Sequence, residues 1–183
     1  MKAHFILLIL FIVNSCSFLD SEREKYYQEI DEMESNLSAL EKKLLANEID
    51  TLAALKLATN AVEIRIKNNL VLDTIDMTLA KKLNDYKIMR RSLGPLGSTF
   101  QKSKNSISEE RQMIKNLRTD IENGTGERDK YPNYITFEKE KIKKISILID
   151  DYIAGKNKTM NTFNELHDEL NMFSLSLLPK SPN

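Results

Sequence analysis

Tryptophan is absent, cysteine occurs once, and the chain holds five glycines, four prolines and two histidines among 183 residues. Each shortage excludes something. A single cysteine leaves the folded part without a disulfide, so packing alone must hold it. So few glycines and prolines fit a protein of long helices. No apolar run is long enough to cross a bilayer as a helix: the run from Phe5 to Val13 is nine residues, and a span needs about 20. Equal counts of 27 basic and 27 acidic residues leave no net charge, which argues against a general nucleic-acid binder.

Catalytic patterns are missing too. The chain contains no GxSxG, HExxH, phosphate-loop or calcium-loop motif. His4 belongs to the apolar leader. His167 stands in Leu166-His167-Asp168-Glu169, where adjacent residues point to different helix faces and cannot close on one ion; it reads as a surface histidine. The carboxylate pairs Glu109-Glu110 and Asp150-Asp151 read as solvated helix surface. The expectation is a non-enzymatic protein with no metal and no dissociable cofactor.

What is present begins with the leader. Lys2 supplies one positive charge, Phe5 to Val13 an apolar core, and Val13-Asn14-Ser15-Cys16 follows. The length suits a signal peptide. Val13-Asn14-Ser15-Cys16 resembles the bacterial lipobox, in which an aliphatic and a small residue precede a cysteine. The resemblance covers residues 1–16 only, and the helical body resembles no particular family. It implies cleavage of residues 1–15, a diacylglycerol thioether on Cys16 and an N-acyl group on the new amino terminus. It also implies a lipid-anchored stretch at 16–19 in a bacterial cell envelope. Ser17 in place of Asp after the cysteine favours the outer membrane over the inner; the face is left open.

From Ser17 to Leu93 there is neither glycine nor proline. Apolar residues recur in steps of three and four at Tyr26, Ile30, Met33, Leu37, Leu40 and Leu44, a heptad seam. A second seam runs Leu45, Ile49, Leu52, Leu55, Thr59, Val62, Ile66 and Leu70. A third runs Leu72, Ile75, Leu79, Leu83, Tyr86, Met89 and Leu93. The phase change at Asn47 predicts a bend or break near 46–48, and Asn68-Asn69 is a second weak spot. Three helices and one long rod both remain open.

Gly94-Pro95-Leu96-Gly97 reads as a turn, with Ser98 and Gln101 as a capping box restarting a helix. The stripe Phe100, Ile107, Ile114, Leu117 and Ile121 is interrupted by Ser103 and Glu110, which predicts a less buried helix. A second turn is expected at 123–132, around Gly124, Gly126 and Pro132. A further helix should end at Ala154-Gly155, with Thr162 and Glu165 capping the next. The expected fold is all-α: an elongated helical bundle or coiled-coil hairpin over 20–178, with turns near 94–97 and 123–132 and a frayed tail at 179–183.

Charge is uneven. Residues 17–41 hold eight acidic and two basic residues, while 81–104 hold seven basic and one acidic. Lys87, Arg90, Arg91, Lys102 and Lys104 would flank the 94–97 tip as a site for an anionic or protein partner. The leading function is a structural or adaptor lipoprotein that binds an envelope component through helix faces or that tip. One alternative is a surface-exposed ligand-binding or host-interaction lipoprotein; another is a secreted helical protein without lipid. Membrane contact is through the anchor, nucleic acid is not a partner, and homo-oligomerisation is open.

Overall fold

The computed structural model describes residues 2–71, 74 and 76–179, with side chains from residue 21 onward. Lipidation of Cys16, the signal sequence and the tail beyond Pro179 therefore concern side chains or residues outside the described set. Among the described residues the fold is all-α, a bundle with no strand. Helix α1 spans Lys2–Leu45, α2 Leu52–Asn69, α3 Met77–Asn123 and α4 Tyr131–Ser176, with a 3-10 turn at Arg128–Lys130 before α4. The stretch 17–93 is thus three helical segments, broken near Asn47 and after Asn69.

Two compact units divide the chain, one formed by Met1–Lys43 and Lys104–Ile147, the other by Leu44–Ser103 and Leu148–Asn183. In the first unit α1 lies against the second half of α3 and the first half of α4. Its seam is as the spacing predicts: Ile30, Met33 and Leu37 are buried. Ion pairs fix the directions. Arg118 meets Asp31 and Glu34 while Arg111 meets Glu41 at 2.9 Å, so α1 and α3 are antiparallel. Tyr26 packs edge-on to Tyr131 with ring centres 6.1 Å apart, and Lys139 lies 3.3 Å from Glu29, so α1 and α4 run parallel.

The α3–α4 turn of this unit has an explicit cause. Gly124 adopts φ 62° and Gly126 φ 78°, the left-handed region that glycine enters without penalty. Thr125 N–H donates to Asp120 O at 2.9 Å and Gly124 N–H to Ile121 O at 3.3 Å, which closes the helix end as a Schellman motif. The Tyr131 hydroxyl then bonds the carbonyls of Thr125 and Asp120 at 2.6 and 3.0 Å and pins the turn to the start of α4. Pro132 sits in the first turn of α4, where its missing N–H costs nothing.

In the second unit α2 takes the third position, against the first half of α3 and the second half of α4. Leu55, Val62, Ile66, Tyr86, Met89, Leu93 and Leu170 form its core. Arg90 pairs with Glu63, and the Arg65 guanidinium donates to Ser174 Oγ at 2.9 Å and Asn171 Oδ1 at 2.6 Å. The break before α2 is fastened by Tyr152, whose hydroxyl donates to the Asn47 carbonyl at 2.8 Å. Asp76 caps α3 by accepting from Thr78 N–H at 2.8 Å.

The expected turn at 94–97 is not there. Helix α3 runs through Gly94, Pro95, Leu96 and Gly97. Pro95 has no N–H, so the Arg91 carbonyl loses its helical partner, a cost of about 3 kcal/mol in a helix interior. Leu93, Leu96 and Phe100 are all buried around it, each contributing about 1.5–3 kcal/mol, so packing wins. Gly97 serves close packing and not a turn: a Cβ there would stand 2.8 Å from Leu52 Cδ2. The Ser98 hydroxyl donates back to the Gly94 carbonyl at 3.3 Å instead of capping. Likewise α4 continues through Ala154 and Gly155, and Thr162 donates to the Lys158 carbonyl at 3.1 Å within it.

Gly94 has open space where its Cβ would be. Gly94→Ala is therefore expected to stabilise the protein by about 0.5–1 kcal/mol, read as a higher urea midpoint, because alanine restricts the unfolded chain and fits helix. A loss of stability would mean that residue 94 needs a conformation only glycine tolerates.

Candidate functional site

The basic residues expected at a tip are spread along one continuous helix. Lys87, Arg91, Lys102 and Lys104 are exposed on α3, and Arg90 is half-buried against Glu63. Lys87 and Lys102 are separated by about 22 Å of helix. Without a turn at 94–97 these cations flank no loop, and Arg90 is already neutralised. There is no basic tip, and the cations do not share one face of α3, since Lys102 and Lys104, two residues apart, point to different sides of the helix.

The stripe expected to be poorly buried is instead fully buried. Ser103 is 0% exposed and Glu110 2%, both in phase with Phe100, Ile107 and Ile114. The Ser103 hydroxyl is satisfied by the Thr99 carbonyl at 2.9 Å. Glu110 is satisfied differently. Its Oε2 lies 2.7 Å from Lys141 Nζ, which also donates to Glu138 at 2.7 Å, while Oε1 is buried without a partner. Burial raises the Glu110 carboxyl to about 7, helped by a hydrogen bond with Glu138 and opposed by Lys141. Lys141 is lowered by burial, yet its bonds to the two carboxylates leave it above its ordinary value. Sequence reading took Glu110 for surface; its heptad phase, shared with Glu138 between Ile135 and Ile142, was the available signal.

His167 is likewise not a surface residue. It is half-buried, stacked on Phe163 at 4.4 Å between ring centres, and its Nδ1 stands 2.6 Å from the Tyr86 hydroxyl. Desolvation lowers its pKa, with Asp168 working against this. Desolvation also pushes the Tyr86 hydroxyl up. Both rings belong to the packed side of the second unit. Among the described residues, no group of three or more His, Cys, Asp and Glu is placed to hold a metal, and no helix is long and apolar enough to cross a membrane.

A feature missed from sequence lies on α2. Its packed face carries Leu55, Thr59, Val62 and Ile66. The opposite face carries Ala54, Leu57, Ala61 and Ile64, with Val71 just past the helix end, also in steps of three, four and seven. Leu57 is 75% exposed, Ile64 48% and Val71 87%. Scattered exposed apolar residues are ordinary. A heptad stripe diametrically opposite the packed face is a second seam. It lies beside Lys56 and Lys67, both exposed, while the Glu63 carboxylate is turned to Arg90. The stronger first seam concealed it in the one-dimensional reading.

Compared with protein-family models, with curated proteins and with solved structures, the chain matches nothing.

Proposed function

We propose that the protein is a non-enzymatic, lipid-anchored bacterial envelope protein that acts as a structural or adaptor module and binds its partner through a helix face. The observation that carries the binding part is the second seam of α2. Leu57 and Ile64, two turns apart, are exposed on the side of α2 away from its core, and exposed Val71 follows just past the helix end. Lys56 and Lys67 beside it suit a partner helix with acidic flanks. The anchor rests on Val13-Asn14-Ser15-Cys16 following an apolar run, and the outer membrane is the membrane this reading favours.

The test is Leu57→Glu with Ile64→Glu in the full chain, combined with a photoreactive side chain at Ala61 in living cells. Both replaced residues point away from the core, so helicity and the urea midpoint should stay close to wild type. A discrete cross-linked species formed by the wild-type background and lost in the charged one supports the reading. Equal cross-linking in both backgrounds, or none in either, would show that the α2 face is not the binding surface.

A further inference from the structure

In the second unit, α3 and α4 leave a trough on the side away from α2. Arg90 and Gly97 mark the face of α3 turned to α2, the first by its pair with Glu63, the second by its close approach to Leu52. Ile88 and Pro95 lie about half a turn round the helix from them, and with α4 they line two hollows of about 480 and 350 Å3. The hollows share Ser92, Gly155 and Thr159, so they form one trough. Its depth comes from those small residues, two of which bond each other: Ser92 Oγ lies 2.8 Å from Thr159 Oγ1. Apolar surface is left open in it, above all Ile88, which is 55% exposed.

The edges of the trough are acidic. Asp85, Asp151 and Glu165 line it against Lys158 alone. Even with exposed Arg91, one turn from Ile88, carboxylates outnumber cations. Among the described residues, none of the three carboxylates has an ion-pair or hydrogen-bond partner. The outer face of α2 is the complement. Leu57 and Ile64 stand out from it, and Lys56 and Lys67 on its flank are also without a partner among the described residues. Lys56 and Lys67 are about 16 Å apart along α2, and Asp151 and Glu165 about 21 Å apart along α4. Flexible lysine stems absorb that difference. An α2 helix cannot reach the trough of its own chain, which opens on the opposite side of the unit. It can reach the trough of another.

We infer that the protein self-associates head to tail, the outer face of α2 in one copy seated in the α3–α4 trough of the next. The inference rests on the reading of α2 as the binding face and names its partner as a second copy of the chain. Face and trough are different surfaces, so each added copy leaves one of each free, and the contact continues past the dimer into rows or rings.

The test uses the full chain in living cells, with the photoreactive side chain at Ala61 and a co-expressed copy carrying a second tag. Cross-linked species of two and more chain masses are expected, carrying both tags, with the link on peptides covering 85–99 or 148–166. Lys56→Glu with Lys67→Glu should cut their yield roughly tenfold, and Asp151→Lys with Glu165→Lys should do the same. Co-expressing the two variants should recover it, because each then offers the charge the other lacks. All four replaced residues are exposed, so the helical circular dichroism should stay as in wild type. If a charge-reversed chain nevertheless loses it, Ile88→Arg decides: wild-type yield in a helical Ile88→Arg chain overturns the inference, and a tenfold loss sustains it. Links from Ala61 to a different polypeptide alone would leave α2 as the binding face and overturn self-association. Links from α2 to α2, or no recovery on mixing two helical variants, would overturn the trough as the seat. No link at all would overturn both readings.

Discussion

Cys16→Ala is expected to shift the protein from the membrane fraction to the soluble fraction or to leave it as an uncleaved precursor, with no lipid in either case. Alkylation by diacylglycerol needs a thiolate, and no other residue in the chain can provide one. Anchoring by acyl chains scales at about 0.8 kcal/mol per buried methylene, so two or more chains amount to durable attachment and their loss to complete release. The alternative anchor would be the run from Phe5 to Val13, which at nine residues is about half the length of a spanning helix. Carbonate-washed membranes and the intact mass of the protein distinguish the outcomes. A Cys16→Ala protein that stays in washed membranes at its wild-type mass would show that lipid on Cys16 is not the anchor. A secreted protein without lipid would show the wild type itself in the soluble fraction, cleaved and unmodified.

The heptad spacing was the most legible part of the fold. Ile30, Met33, Leu37 and Leu44 on α1, and Leu55, Val62 and Ile66 on α2, are buried where the period puts them. The phase change at Asn47 marked a real break, because a seam that shifts phase cannot keep facing one core along a straight helix. Gly94-Pro95-Leu96-Gly97 misled because its local chemistry and its phase disagree. Taken alone, two glycines and a proline demand a turn. Taken with Leu93, Leu96 and Phe100, they sit on a seam that never loses step from Met89 to Ile121, and only a continuous helix keeps all of those residues buried. At 124–126 no seam residue intervenes and two glycines take positive φ, so the same residue type means a turn there. Once 94–97 is helix, the basic tip dissolves with it. The candidate surfaces that replace it were harder to read. The exposed face of α2 with Leu57 and Ile64 was hidden behind the stronger seam of Leu55, Val62 and Ile66 in the same helix.

Glu110 supplies the other large effect. In the unfolded chain its carboxyl loses its proton near the ordinary value of 4.5, whereas in the folded chain it holds it to about 7. Between those values the folded state binds more protons than the unfolded state. Its contribution to stability is therefore fully present below about pH 4.5 and is lost as pH rises through about 7, on the order of 3 kcal/mol in all. Lys141 titrates far above this window. His167 works in the opposite sense: its lowered pKa gives stability that is present above its ordinary value of 6.5 and lost as pH falls through its folded value. Comparing Glu110→Gln with wild type removes the His167 contribution, which both chains share. Glutamine keeps the volume, can donate to Glu138 and accept from Lys141, and does not titrate. The urea midpoint of the variant is expected to match or fall slightly below wild type at pH 4.5 and to exceed it clearly at pH 8, the two curves crossing between. The gain at high pH follows from the buried Oε1, which has no partner and is costly once the carboxyl is charged. Parallel curves over the whole range would show that Glu110 keeps an ordinary pKa in the fold, and with it a route for water to the α3–α4 seam at that level.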